Sequence, residues 1–461
     1  MAMAGALFSL VMVSESIGAR GADAAAAVAA PAAKPTPAPA QAEAEVINYD
    51  EAKVPAYVLP ETLACADGTK VTTSEQWKTV RRPEVLKLFR EQVYGFSPGR
   101  PRGESFQEVS VDANALGGKA VRKQISIRLT GDMSGPRIDV LIYLPAKAGK
   151  AVPAFLGLNF LGNAAVHPDP GILLNTTWFV NDRNRLYLNN RPTEKTRGID
   201  QAHWQVEQVL ARGYAFVTAY YGDIEPDHAE GWREGVRSVF PAGPSDEAVP
   251  SVRPIETFAP NAWGAIGAWA WGLSRIMDYL ETDPGIDARQ VALMGHSRLG
   301  KTALWAGAQD ERFAVVISNN SGEGGAAIAR RKFGESTAHL NRAFPPWFNG
   351  NFKQYSGHEE QLPVDQHELI ALIAPRPVYV ASAEKDQWAD PNGEFLAAKA
   401  AGPVYALFGR KGVGVDIQPP IDKPEGDFVG YHIRTGEHEV NVFDWTQYLR
   451  FADRHFGRGS K

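Results

Sequence analysis

Between residues 81 and 95 the chain reads RRPEVLKLFREQVYG, and Val85, Leu86, Leu88, Phe89 and Val93 recur at helical spacing among charged neighbours. That period predicts an amphipathic helix. The period then shortens. VRKQISIRL (121–129) and IDVLIYLP (138–145) alternate or run apolar over strand lengths, which predicts an antiparallel start. PAFLGLNF (153–160) is a continuous apolar run leading to Gly162 and Asn163, as expected of a buried strand and a tight loop. Residues 199–214 read as a helix, AFVTAYY (215–221) as the next buried strand, and residues 261–281 as a long helix whose glycines favour close packing on a sheet. Four more short apolar runs, at 290–294, 314–318, 377–382 and 403–408, are separated by helix-length segments, and residues 443–456 close the chain as an amphipathic helix. Strands alternating with helices predict an α/β fold with a mostly parallel sheet covered on both faces. Chemistry in such sheets gathers beyond the carboxyl ends of the strands, so the loops after residues 160, 221, 294, 318, 382 and 408 are the places to search.

Composition narrows the function without naming it. A net charge of −5 over 461 residues offers no basic field for nucleic acid or for anionic lipid. A single cysteine, Cys65, excludes an internal disulfide and a cysteine-rich metal site, and no metal-binding histidine spacing occurs, so neither metal nor cofactor is expected. Residues 4–13 form an apolar run too short to span a bilayer, and Ala22-Asp23-Ala24 resembles a cleavage site; residues 1–24 are therefore expected to be a signal peptide. Residues 25–45 are alanine and proline with little to bury, as in a solvated linker. The expected arrangement is signal peptide, linker and a catalytic domain over 46–461, in a secreted or periplasmic monomer without stable membrane insertion.

The chemistry concentrates in QVALM-GHS-RLGKTALWAGA (290–308), which reads as strand, sharp turn and helix around Ser297. That is the setting of a nucleophile elbow, in which a strained turn lifts a serine above the sheet. The bland alternative is a serine that only caps the helix. A nucleophilic serine needs a base oriented by an acid, and in α/β-hydrolases they follow in the order serine, acid, histidine. Glu384, Asp386 and Asp390 follow the apolar run at 377–382, and His432 and His438 follow the run at 403–408. Spacing leaves the choice among them open. The loop GLNFLGN, with Asn163, lies where such folds place a second oxyanion N–H.

GHSRLGK (295–301) resembles the G-C-S-R-x-G-K motif of the glucuronoyl esterases, carbohydrate esterase family fifteen; residues 362–395 and 437–445 are similar to its bacterial branch. The resemblance extends over most of residues 50–456. It implies an α/β-hydrolase fold, a three-layer αβα sandwich that needs no metal. It also implies hydrolysis of the ester joining 4-O-methyl-glucuronic acid of glucuronoxylan to lignin alcohols, through a glucuronoyl-enzyme intermediate. By position it makes Ser297 the nucleophile, His438 the base and Arg298 the oxyanion stabiliser, with Gly300 in place of the displaced second glycine. Fungal members carry their acid in an E-S-G-x-G-G loop, where this chain has NSGEGG and hence Asn320; the bacterial D-x-W-A-D-P loop points to Asp386 instead, with Glu323 as a substitute. Lys301 and Glu335 are implied to hydrogen-bond the uronate hydroxyls, and Trp388 to wall the methoxy side. The rival expectations are an acetyl xylan esterase on the same fold and a catalytically silent carbohydrate-binding protein.

Overall fold

A ten-stranded sheet organises the chain. The computed structural model describes residues 47–132, 135–240, 247–248 and 258–459, so the expected signal peptide and linker lie outside the described residues. The strands are β1 (Ser105–Asn114), β2 (Ala120–Arg128), β3 (Arg137–Pro145), β4 (Val152–Asn159), β5 (Ala215–Tyr220), β6 (Ile286–His296), β7 (Val315–Asn319), β8 (Val378–Ala383), β9 (Glu425–Gly426) and β10 (Val429–Arg434). Their order is β9-β10-β8-β7-β6-β4-β5-β3-β2-β1. From β10 to β5 every neighbour is parallel; β3, β2 and β1 add an antiparallel edge, and short β9 closes the other side.

Alternation along the strands decides which layer each side chain joins. Val140 and Ile142 of β3, Leu156 of β4 and Leu293 of β6 enter one core with Val85 and Phe89 of α1 (Arg82–Phe89), Ile266 and Trp269 of α3 (Ala265–Leu280), Leu304 of α4 (Arg298–Gln309) and Phe395 of α5 (Pro391–Ala400). Their neighbours Leu141, Tyr143, Phe155 and Met294 enter the other, with Val209 of α2 (Val206–Ala211) and Trp445 and Tyr448 of α7 (Val442–His455). The sheet is thus buried on both faces between helical layers, the α/β-hydrolase arrangement. Chain order reverses between β4 and β6, because β5 lies outside β4 while β7 and β8 lie outside β6. The loops that follow β4 and β6 diverge there and leave the crevice in which such sheets bind ligands.

Two expected elements are overturned. PVYALF is not a strand: residues 402–407 form α6 (Gly402–Leu407), with Pro403 in its first turn, where proline's fixed φ suits helix initiation. The last long strand is instead β10, so His432 lies within the sheet and not in a loop. Its sequence, VGYHIR, hides the strand because His432 and Arg434 are polar yet buried; both bond to Asp444 of α7, at 2.9 and 2.7 Å. The helix expected over 199–214 is broken at Gln205, whose φ of 44° separates two short helices. β1 escapes the hydrophobic pattern altogether, since it is an exposed edge strand with mostly polar side chains.

Candidate active site

Ser297 stands between the end of β6 and the start of α4 with φ 56° and ψ −130°, a conformation disfavoured for any residue with a β-carbon. Two close approaches hold it there. A β-carbon on Gly295 would fall 1.9 Å from the Leu299 carbonyl oxygen, and one on Gly300 would fall 2.9 Å from Ser321 Cβ. Glycine is therefore required before the serine and three residues after it, so the departure from G-x-S-x-G shifts the second glycine without loosening the turn. The Ser297 N–H donates to Asn319 O at 2.9 Å, which ties the elbow to β7. Its hydroxyl does not cap α4, contrary to the bland reading, and makes no hydrogen bond among the described residues.

Beyond β8 and β10, two loops converge. His438 Nδ1 lies 2.6 Å from Asp386 Oδ2, and Asn320 Nδ2 donates to the same oxygen at 2.6 Å. A carboxylate oxygen only accepts, so Nδ1 carries the proton and Nε2 keeps its lone pair, the tautomer a general base needs. Asp386 is almost wholly buried, while the His438 side chain is 41% exposed and so accessible to a substrate. The ring lies against His296, the residue before the serine, with centroids 4.5 Å apart. It makes no hydrogen bond to Ser297 Oγ among the described residues; contacts of this kind commonly tighten only in the complex with substrate.

The other candidates have different occupations. His432 is fully buried between Asp444 and the Tyr379 hydroxyl. Asp390 caps α5 through the Gly393 N–H at 2.9 Å and pairs with Arg331 at 2.8 Å. Glu384 meets the Arg434 carbonyl through its backbone N–H. Glu323 is overturned as a substitute acid: its carboxyl accepts from Thr337 Oγ1 at 2.6 Å, away from His438, and burial pushes its pKa well up.

Two buried groups support the relay and were not singled out from sequence. Glu394 of α5 accepts from Ser321 N at 2.7 Å, Gly322 N at 3.0 Å and Ser382 Oγ at 2.6 Å, fixing the loop that carries Asn320. Burial pushes its pKa up to about 8, against these three hydrogen bonds, which favour the charged form. His296 Nδ1 contacts Asn319 Oδ1 at 2.6 Å. Asn319 spends its amide N–H groups on Asp444 and Tyr448, so His296 is the donor in that contact. Burial, reinforced by the nearby His438, holds the His296 pKa well below its ordinary value. The ring beneath the base is thereby kept neutral.

Arg298 opens α4. Its Nη1 donates to Asp227 Oδ2, and the guanidinium carbon lies 5.0, 5.5 and 5.9 Å from the ring centroids of Trp347, Phe160 and Phe344. Burial opposes its charge, but Tyr221 and Asp227 outweigh this and raise its pKa. Nε is buried without a partner, and 29% of the side chain remains exposed to a ligand. Asp227, Trp347 and Phe344 carried no signal in the sequence.

Lys301, Glu335 and Trp388 do come together. Lys301 Nζ donates to Glu335 Oε2 at 2.8 Å, and Trp388 Nε1 donates to Glu335 Oε1 at 3.2 Å. Trp388 is half-buried, as a sugar-facing wall would be. Lys301, however, is buried with all three donors engaged, the other two by the Ser321 and Glu323 carbonyls at 2.7 and 2.6 Å. A uronate hydroxyl reaches the ammonium only by displacing one of these acceptors. The backbone N–H expected of Asn163 is already engaged: it donates to Asn175 Oδ1 at 2.7 Å, while the side-chain amide donates to Asp139 O at 2.7 Å. Among the described residues no group of three histidine, cysteine or acidic side chains is arranged to hold a metal ion.

Known proteins are similar to this chain in sequence and fold. The family model for fungal glucuronyl esterases matches residues 258–409, which contain the elbow and the Asp386 loop. The carbohydrate esterase MZ0003 from an unknown prokaryotic organism is 46% identical over 90% of this chain and 93% of its own length. The solved structure of a glucuronoyl esterase from Solibacter usitatus is 50% identical, with a TM-score of 0.81 over 88% of this chain and 100% of that one. A promiscuous family 15 carbohydrate esterase from a marine bacterial metagenome is 45% identical, with a TM-score of 0.80 over 89% and 100%.

Proposed function

The chain belongs to the glucuronoyl esterases of carbohydrate esterase family 15, carboxylic ester hydrolases of uronate esters, and from that membership we propose how its residues perform the reaction. Ser297 Oγ attacks the carbonyl carbon of the 4-O-methyl-glucuronate ester while His438 Nε2 takes its proton. Asp386 keeps the imidazole in the competent tautomer and balances the imidazolium once formed. Charge developing on the carbonyl oxygen is met by the Arg298 guanidinium and by the backbone N–H at the head of α4. The alcohol leaves with the proton from His438. A water, deprotonated by the same ring, then attacks the glucuronoyl-serine ester and releases uronate and free enzyme. Glu335 and Trp388 face the sugar, with Lys301 fixing Glu335 from behind.

The observation that carries this reading is the 2.6 Å bond between His438 Nδ1 and Asp386 Oδ2, formed by loops from two different strands beside a strained serine. We take the substrate to be glucuronoxylan esterified to lignin alcohols and the enzyme to be an exported monomer. Among the described residues no helix is long and apolar enough to cross a membrane. Benzyl glucuronate set against acetylated xylan tests the substrate class: the expected result is rapid release of benzyl alcohol with negligible acetate. Preferential acetate release would make the chain an acetyl xylan esterase. Failure of a fluorophosphonate to label Ser297 would make it a silent binding protein.

Arg298→Met isolates the oxyanion contribution. Removing one donor from an oxyanion hole costs roughly 10²–10³ in kcat, so a loss of about that size is expected with KM within a few-fold. Steady-state rates on benzyl glucuronate check it, and an unchanged kcat removes Arg298 from the chemistry.

A further inference from the structure

An ester carboxyl is uncharged, whereas the product is an anion, so a cation beside the acyl carbon faces two opposing demands. It must stabilise an oxyanion for the life of a transition state and then let a carboxylate go. An unpaired guanidinium serves the first and obstructs the second. Arg298 is not unpaired. Asp227 Oδ2 receives its Nη1, Asp227 Oδ1 receives Trp347 Nε1 at 2.7 Å, and the Tyr221 hydroxyl lies 3.4 Å from Oδ2. The Asp227 side chain is only 9% exposed and is held by groups from separate segments of the chain. Asp386 is the acid that pairs with His438, so Asp227 is free of the proton relay.

We propose that Asp227 is a positioning residue that balances the charge of Arg298, allowing the guanidinium to meet the oxyanion without retaining the uronate product. The inference rests on the reading of Arg298 as oxyanion donor. Its physical basis is the different reach of hydrogen bonding and Coulomb attraction. A donor N–H aimed at a forming oxyanion acts at contact and survives pairing on the far side of the guanidinium. The longer-range pull on a carboxylate follows net charge, and a carboxylate beside the guanidinium cancels most of it. Trp347 serves both partners, as a ring against the guanidinium and as an N–H donor to the carboxylate.

The test is Asp227→Asn, which keeps the size of the side chain and removes its charge. Competitive inhibition by 4-O-methyl-glucuronate and KM for its benzyl ester are measured in the wild type, in D227N, in R298M and in the D227N/R298M double variant. The expected result is a product Ki lower by about tenfold in D227N, from an uncompensated cation discounted for partial exposure. KM for the neutral ester should stay within about threefold, since it carries no charge for that cation to attract. In the R298M background the same substitution takes the pair from anionic to neutral and not from neutral to cationic, so the double variant should bind product less tightly than D227N and no tighter than the wild type. An unchanged or higher Ki in D227N overturns the proposal, as does a double variant that binds product as tightly as D227N. Should D227N not fold, Asp227→Ser is neutral and smaller and carries the same expectation. Wild-type hydrolysis and the R298M rate, read in the same series, test the esterase reading and the role of Arg298 independently of Asp227.

Discussion

Asp386→Asn is expected to lower kcat on benzyl glucuronate by about 10⁴, the scale seen when a triad acid is made neutral, with KM nearly unchanged. The argument lies in a single oxygen. Asp386 Oδ2 accepts from both His438 Nδ1 and Asn320 Nδ2. An asparagine at 386 that presents its oxygen to these donors retains the geometry but loses the charge that balances the imidazolium. One that presents its NH₂ repels the Asn320 amide and forces His438 into the opposite tautomer, in which Nε2 carries hydrogen and cannot take the serine proton. Either outcome acts after the substrate has bound, so the loss belongs in kcat and not in KM. Steady-state rates for the two proteins measure the effect, and a loss below tenfold assigns the acid role elsewhere.

Much of this was legible in the chain because burial and turn geometry leave local marks. The apolar runs of β4, β5, β6, β7 and β8 stand out since strands covered on both faces carry few polar residues. The elbow stands out because Gly295 and Gly300 answer steric demands that no other residue meets. The same logic explains the failures. The run at 403–408 was short enough to be either helix or strand, and only its packing as α6 decides. β10 was missed because its buried His432 and Arg434 are matched by Asp444, a partner the local sequence does not display.

At the site, residues bound to a motif could be read and residues bound only to other residues could not. Ser297, Arg298 and Lys301 share one turn, so a single motif places them together. Asp227 lies 71 positions from Arg298 and 120 from Trp347. In sequence it is one more carboxylate in an acidic loop, and the usual fate of such a group is solvation. Lys301 shows the complementary limit. Its type and position suggested a substrate contact, yet its three donors are taken up by Glu335 and two carbonyls, an engagement that only the fold displays.

Ser297→Ala should produce the largest loss, about 10⁶ in kcat, by comparison with removal of the serine from other triads. The substitution is unusually clean. The hydroxyl makes no hydrogen bond among the described residues and does not cap α4, so its removal leaves no buried group without a partner. Alanine keeps a β-carbon, so the backbone strain at φ 56° is carried equally by both proteins. The expected thermal stability is therefore unchanged within about 0.5 kcal/mol, and the lost rate measures chemistry alone. Adding His438→Ala to Ser297→Ala should cost almost nothing more, because a base without its nucleophile has no proton to take. If the two losses instead multiply, serine and histidine act on separate steps and the relay through Asp386 is not the path of the proton. Single-turnover rates on benzyl glucuronate for the two single variants and the double variant, with melting curves beside them, distinguish these outcomes.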